Sequence, residues 1–175
     1  MAIFFEEDSH ITEEGAVCGA LPHMPGGNSV TAIGQTFTTG DNYDLTKVTL
    51  KLRKAGSPGR CFVDIYAVNG DDLPTGSTLG FGSFNANNIT ESASGELVDI
   101  PITPTSLTTG TIYAIVITAP DGTIFTDVIK FLGSIDEDGE SYADGTTVQL
   151  LDGVWEERIV SGIFFTDAYF QTYSE

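Results

Sequence analysis

The residue types that most often carry catalysis are few in this sequence and badly placed for it. The only histidines, His10 and His23, lie near the amino terminus, whereas a Ser-His-Asp or Cys-His device needs its histidine beside the nucleophile within the folded domain. The sequence contains no G-x-S-x-G, no H-E-x-x-H and no glycine-rich phosphate loop after a strand. Cys18 and Cys61 are too few for a disulfide framework, and Cys18 with His23 is too little for a zinc site. We therefore expect no enzymatic activity, although 25 acidic residues supply carboxylate pairs by chance.

An acidic loop is the best candidate for a metal site. Residues 134–145 place several carboxylates close together, and Ca²⁺ prefers carboxylate oxygens from one flexible loop. The candidate calcium ligands are Asp136, Asp138, Glu140 and Asp144. Ser141 stands where an EF-hand loop has its glycine, so that motif is incomplete. Two interpretations stay open, a calcium site and a solvated acidic loop, and no other cofactor is expected.

A second group of candidates is basic and aromatic. Residues 47–54 and 61–68 alternate between apolar and polar side chains, as half-buried strands do. The alternation predicts a common solvent-side face for Lys51, Arg53, Phe62 and Tyr66. A closing strand predicted over residues 163–173 adds Phe165, Tyr169 and Tyr173. Aromatic rings on exposed strands bury against another subunit, stack on a glycan or are covered by the same chain, and all three interpretations stay open.

The charge of the chain excludes several classes of partner. Twenty-five acidic and seven basic residues give a net charge of −18, which repels DNA, RNA and anionic lipid headgroups. No apolar stretch approaches the ~18 residues of a membrane span. The first ten residues lack the basic and apolar regions of a secretory signal. We expect no nucleic-acid partner, no membrane partner and synthesis in a host cytoplasm without a signal peptide.

The pattern of short alternating segments predicts an all-β fold. Asp121-Gly122 and Asp152-Gly153 each lie between β-rich segments, as tight hairpin turns require. We predict an antiparallel, jelly-roll-like β-sandwich of about nine strands over residues 31–175. Residues 111–118 are apolar on both faces and are expected to form a central or interface strand. Residues 1–30, rich in glycine and proline, are predicted to form an irregular N-terminal arm.

The order of motifs along the chain resembles a known group of adhesive modules. The segments are QTFT, DLTKVTLKLRKAGSPG, VDIYAVNGDDLPTG, LTTGTIYAIVITAPDG, DGVWEE and DAYFQTY, and they cover residues 33–173. In this order they resemble the β-sandwich modules of bacterial surface proteins called choice-of-anchor domains, and similar modules of phage structural proteins. The resemblance implies a β-sandwich with a structural or adhesive role.

These expectations lead to two candidate functions. The first is a non-enzymatic bacteriophage virion protein, either a capsid decoration protein or a tail-associated subunit in the extracellular particle. It would pair with other virion proteins and with its own copies in a homo-oligomer, and its N-terminal arm would dock on the capsid or tail. The alternative is a carbohydrate-binding, adhesive module of a phage or bacterial surface protein.

Overall fold

The protein folds as two antiparallel β-sheets that pack face to face. The computed structural model describes residues 5–10, 16–22, 29–136, 142–160 and 164–175. The first sheet has the order β1 (Phe5–His10), β14 (Phe170–Ser174), β4 (Tyr43–Ala55), β9 (Val128–Asp136), β13 (Phe164–Ala168) and β12 (Ile159–Val160), with β2 (Ala16–Leu21) on β9 and β7 (Glu96–Leu107) on β4. The second sheet has the order β11 (Val154–Glu157), β10 (Thr147–Leu151), β3 (Val30–Thr38), β8 (Ile112–Thr118), β5 (Arg60–Val68) and β6 (Pro74–Asn85). The predicted all-β antiparallel sandwich is confirmed.

The structure has more strands than the sequence predicted. Fourteen strands and one 3-10 helix, Ala86–Asn88, lie within the described residues, against about nine predicted strands. Two of the additional strands fall in the segment predicted to be irregular: β1 pairs with β14, and β2 pairs with β9. Residues 5–10 and 16–21 of this segment are therefore strands of the first sheet, and the boundary at residue 30 stays a prediction. Within the described ranges, no helix is long and apolar enough to span a membrane.

The acidic side chains of β1 accept hydrogen bonds from neutral groups of β14, of β4 and of the turn before β4. Glu6 Oε2 accepts a hydrogen bond from Gln171 Nε2 at 2.6 Å, and Glu7 accepts one from the hydroxyl of Ser174. Asp8 accepts from the Gly40 N–H at 2.9 Å and from the Tyr43 hydroxyl at 2.8 Å. These bonds hold β1 on the sheet even though its own sequence has no clear apolar alternation.

The core lies between the two sheets and follows the predicted alternation. Val48, Leu50 and Leu52 of β4 point inward and are fully buried. Cys61, Val63 and Ile65 of β5 meet the same core from the second sheet. Strand β8 pairs with β3 on one side and β5 on the other, and its middle residues are buried on both faces. The predicted central position of residues 111–118 is thus confirmed.

The closing strand breaks in two at Tyr169. Before the break β13 pairs with β9, and after it β14 pairs with β4. The Tyr169 N–H donates to the Leu132 carbonyl at 2.9 Å, which fixes the corner. Strands β4 and β9 pair directly only over Leu52–Ala55 and Val128–Phe131, so the corner at Tyr169 lies where these two strands separate.

A buried amide ties this corner to the second sheet. Gln35 on β3 is fully buried, and its Oε1 accepts from the Ala168 N–H at 2.7 Å and from the Thr147 hydroxyl at 3.0 Å. Its Nε2 donates to Asp167 Oδ1 at 3.3 Å and to the Thr36 carbonyl at 3.1 Å. Because both ends of the amide are satisfied, the polar group is stable inside the core and joins the two sheets.

Candidate binding site on the outer face of the second sheet

The predicted single patch of basic and aromatic residues does not form. Lys51 and Arg53 lie on β4 of the first sheet, whereas Phe62 and Tyr66 lie on β5 of the second. In both strands the alternate residues fill the core between the sheets, so these four side chains point away from it in opposite directions. Lys51 and Arg53 instead have Leu97 and Lys130 as their cross-strand partners. The aromatic pair must therefore be considered without the basic pair.

The candidates of the closing strand are not open platforms. Tyr169 is only 6% exposed, and its hydroxyl donates to Gln171 Oε1 at 2.9 Å. The ring of Tyr173 lies under the Lys47 ammonium group, 3.8 Å from Nζ to the ring centroid. The side chain of Phe165 lies outside the described part of the structure. For Tyr169 and Tyr173, contacts within the chain account for the rings.

The calcium prediction falls mostly outside the described residues. Asp138, Glu140 and the side chain of Asp136 all lie outside the described part of the structure. Asp144 is exposed at the edge of the second sheet, where its carbonyl accepts a hydrogen bond from the Thr38 hydroxyl. Among the residues that the structure describes, no group of three or more His, Cys, Asp or Glu side chains is arranged to hold a metal ion. The calcium site stays a prediction from the sequence.

The outer face of the second sheet consists of side chains aligned in rows across the strands. One row runs across all six strands and contains Ser83, Phe62, Thr118, Ala32, Leu150 and Trp155. The adjacent row contains Phe81, Asp64, Val116, Gly34, Val148 and Glu157. A third, shorter row contains Tyr66, Ala114 and Thr36. Because side chains two residues apart share a face, all three rows belong to one surface.

Asp64 stands among three aromatic rings on this surface. Phe81 is its direct cross-strand partner on β6, and Phe62 and Tyr66 flank it along β5 at about 7 Å. Val116 lies opposite it on β8. Phe62 and Phe81 are 37% and 60% exposed, so two of these rings are open to solvent. We call Phe62, Asp64, Tyr66 and Phe81 the Asp64 cluster.

The carboxylate of Asp64 has no protein partner among the residues that the structure describes. Within the described ranges it makes no hydrogen bond and no ion pair, and burial alone raises its pKa above the ordinary value of 3.8. The cause is that apolar neighbours replace part of the water that would solvate the charge. A half-buried acceptor without a partner, at an open surface, is a feature typical of binding sites.

The floor beside the cluster is made of small residues. Ala32, Ala114 and Val116 are buried on the outer face, where Tyr66 and Trp155 pack against them. Gly34 is required in the middle of the floor, because a Cβ there would lie 2.7 Å from the Ile115 carbonyl oxygen and 3.0 Å from Val116 Cγ2. Larger side chains of β5, β10 and β11 cover this floor, so that Ala32, Ala114 and Val116 are at most 2% exposed.

The far end of the face repeats the combination of ring and carboxylate. Trp155 and Glu157 are two residues apart on β11, so they share the outer face. Trp155 is half-buried, and Glu157 is exposed and accepts a hydrogen bond from the Thr146 hydroxyl at 3.1 Å. Glu157 and Asp64 lie four strand spacings apart, and this distance is about 19 Å.

This arrangement favours binding over hydrolysis. Sugar rings present apolar C–H faces that stack on aromatic side chains, and a carboxylate accepts hydrogen bonds from neighbouring hydroxyls. Glycoside hydrolysis needs two carboxyl groups roughly 5–10 Å apart. Asp64 and Glu157 are separated by about twice the upper limit, so these two carboxylates cannot act together on one glycosidic bond.

Two of the four residues of the Asp64 cluster, Phe62 and Tyr66, were predicted from the sequence. The alternation of residues 61–68 placed Phe62, Asp64 and Tyr66 on one face, but only the two aromatic residues were selected. Phe81 alternates in the same way with Gly80 and Gly82, so the signal for it was present in the sequence. Trp155 and Glu157 could not be assigned to this face without the pairing of β10 with β3 and β11.

Comparisons with known proteins leave the family open. No protein-family model matches the chain, and no curated protein shows significant similarity to it. The resemblance to choice-of-anchor domains and to phage structural proteins therefore stays a prediction, and functional arguments depend on the site itself.

Proposed function

We propose that the protein is a non-enzymatic adhesive module that binds carbohydrate, as part of a phage virion or of a bacterial surface protein. The observation that supports this most is the Asp64 cluster, in which a carboxylate that makes no hydrogen bond or ion pair with the described residues lies among three aromatic rings, two of them exposed. Stacking on Phe62 and Phe81 would supply the apolar contact, and Asp64 would accept hydrogen bonds from sugar hydroxyls.

The electrostatics of the chain favour a neutral glycan. A net charge of −18 disfavours acidic polysaccharides, because their carboxylates or sulfates would be repelled. Asp64 and Glu157 are the only charged residues among those that form the three rows of the face. The ligand that fits this surface is therefore rich in hydroxyl groups and carries no net negative charge.

A second candidate is the structural virion subunit, a capsid decoration or tail-associated protein that contacts its own copies. The observation that favours it is the low charge of the same face, which runs across six strands of a strongly acidic protein. Two copies would repel each other elsewhere, and apolar faces of this kind also serve as subunit contacts. Light scattering separates the two candidates, since only the second requires an oligomer that depends on this face.

Affinity electrophoresis in native gels tests the proposal. The gels contain one neutral polysaccharide each: a β-glucan, a galactomannan, a xylan or a dextran. We expect at least one of them to retard the protein, and we expect Asp64→Ala and Phe81→Ala to weaken that retardation by about tenfold or more in apparent affinity. Phe125→Ala is the matched control, because Phe125 is a 75% exposed phenylalanine in a turn away from this face.

Two outcomes contradict carbohydrate binding at this site. One is that none of the four polysaccharides retards the wild-type protein. The other is that retardation survives in both Asp64→Ala and Phe81→Ala. Both variants change exposed or half-exposed side chains, so circular dichroism should show them folded and the loss can be assigned to the surface.

A further inference from the structure

We infer that the ligand of this face is an extended neutral oligosaccharide that crosses the strands and occupies two subsites, one at the Asp64 cluster and one at Trp155 and Glu157. This inference rests on the proposed function and adds the length and direction of the ligand. It also assigns a role to β11, the last strand of the second sheet.

The first support is the alignment of the two ends. The row that contains Phe62 continues through Thr118, Ala32 and Leu150 to Trp155, and the row that contains Asp64 continues to Glu157. Each end therefore presents an aromatic ring and a carboxylate in the same two rows. A ligand that lies along these rows meets the same pair of groups at either end, about 19 Å apart.

The second support is the surface between the two ends. Ala32, Gly34 and Val116 form the central floor, and none of them extends a long side chain above the sheet. Gly34 has no room for a larger residue, because the Ile115 carbonyl lies under it. Ala32, Gly34 and Val116 are buried, and larger apolar side chains, among them Tyr66 and Trp155, pack over the floor. A ligand that crosses β8 and β3 therefore meets these larger side chains, and the uncharged surface that they form suits a chain of neutral sugar rings. If one ring covers about one strand spacing, about four rings connect the ends.

The third support is the separation of the two carboxylates. A basic peptide would gain most from clustered acidic residues, but Asp64 and Glu157 stand alone at opposite ends of an apolar floor. A second copy of this chain would bring a carboxylate of its own into the apolar contact, where it would have to lose water without gaining a cation. Hydroxyl groups of a neutral glycan can satisfy both acceptors without any charge.

Titration calorimetry with oligosaccharides of increasing length tests this inference. The probes are the disaccharide, tetrasaccharide and hexasaccharide cut from the polysaccharide that retards the protein. We expect the wild-type protein to bind the hexasaccharide at least about tenfold more tightly than the disaccharide, because the longer ligand reaches both rings. Trp155→Ala should reduce hexasaccharide affinity to the level of the disaccharide and leave disaccharide affinity unchanged. Trp155→Phe should restore part of the gain.

Val154→Ala is the control on the same strand. Val154 is 65% exposed and is the neighbour of Trp155 on β11, but it projects from the opposite face, so this variant should bind like the wild type. The inference is overturned if the wild-type protein binds all three lengths equally, or if Val154→Ala removes the length dependence as well. It is also overturned if light scattering shows a dimer that Phe81→Ala and Trp155→Ala abolish, since the face then belongs to a second copy. Absence of binding to every polysaccharide would instead contradict the proposed function itself.

Discussion

Replacing Gln35 by leucine should destabilise the protein strongly, because this amide is the buried polar link between the two sheets. Leucine keeps the size of the side chain but removes all four hydrogen bonds. The Ala168 N–H loses its acceptor and the Asp167 carboxylate loses a donor, both in fully or almost fully buried surroundings. Each buried polar group without its partner costs about 1–3 kcal/mol. The added apolar surface offsets about 1 kcal/mol, so we expect a loss of about 1–5 kcal/mol in the free energy of unfolding.

Urea denaturation followed by circular dichroism measures this loss. Gln149→Leu is the matched control: it is the same exchange on the neighbouring strand β10, but its partners Glu156 and Arg158 are only partly buried and can bind water instead. The control should lose less than about 1 kcal/mol. The reasoning is refuted if Gln35→Leu stays within about 1 kcal/mol of the wild type, or if the two variants lose equal stability.

Three further predictions concern single side chains. Burial raises the pKa of the Cys61 thiol to about 12. In a Cys18→Ser background, the native protein should therefore not react with a thiol reagent at pH 8. Reaction before unfolding would contradict the core position of Cys61. Asp8→Ala should lower the free energy of unfolding by about 1–2 kcal/mol and reduce the hydrogen-exchange protection of residues 5–10, because the Gly40 N–H and the Tyr43 hydroxyl lose their acceptor. Unchanged protection would show that these bonds do not hold β1. Burial raises the pKa of Asp64 above 3.8, so the folded state binds its proton more tightly than the unfolded state and the charged form disfavours folding. Asp64→Asn should therefore melt at a higher temperature than the wild type at pH 7, with a difference that shrinks as the pH falls through the raised pKa of Asp64 and is lost below 3.8. Equal melting temperatures at pH 7 would contradict the desolvation of Asp64.

Local patterns in the sequence predicted the strands but not the sheet to which each belongs. The alternation of residues 47–54 and 61–68 gave the inward and outward residues of β4 and β5 correctly. It could not show that these consecutive strands join different sheets, because strand pairing depends on contacts far apart in sequence. That is why Lys51 and Arg53 were grouped with Phe62 and Tyr66, from which the whole thickness of the sandwich separates them.

Tertiary contacts also decide the features that the sequence concealed. No turn residue in the sequence marks the break at Tyr169. The break arises because β13 pairs with β9 whereas β14 pairs with β4. Strand β1 is acidic and without clear alternation, and hydrogen bonds to β14 and to Tyr43 fix it. Half of the candidate site was visible in the alternation of β5. The Trp155 end was not, because β11 reaches the face only through its pairing with β10.

We propose above all that the outer face of the second sheet binds a neutral glycan. The most direct measurement is an NMR titration of the ¹⁵N-labelled protein with the hexasaccharide described above, following the backbone amides and the single tryptophan indole. We expect shifts confined to β6, β5, β8, β3, β10 and β11, with the Trp155 indole N–H and the amides around Asp64 and Phe81 among the largest. Shifts centred on Lys51 and Arg53 of the first sheet, or no shifts at saturating ligand, would contradict it.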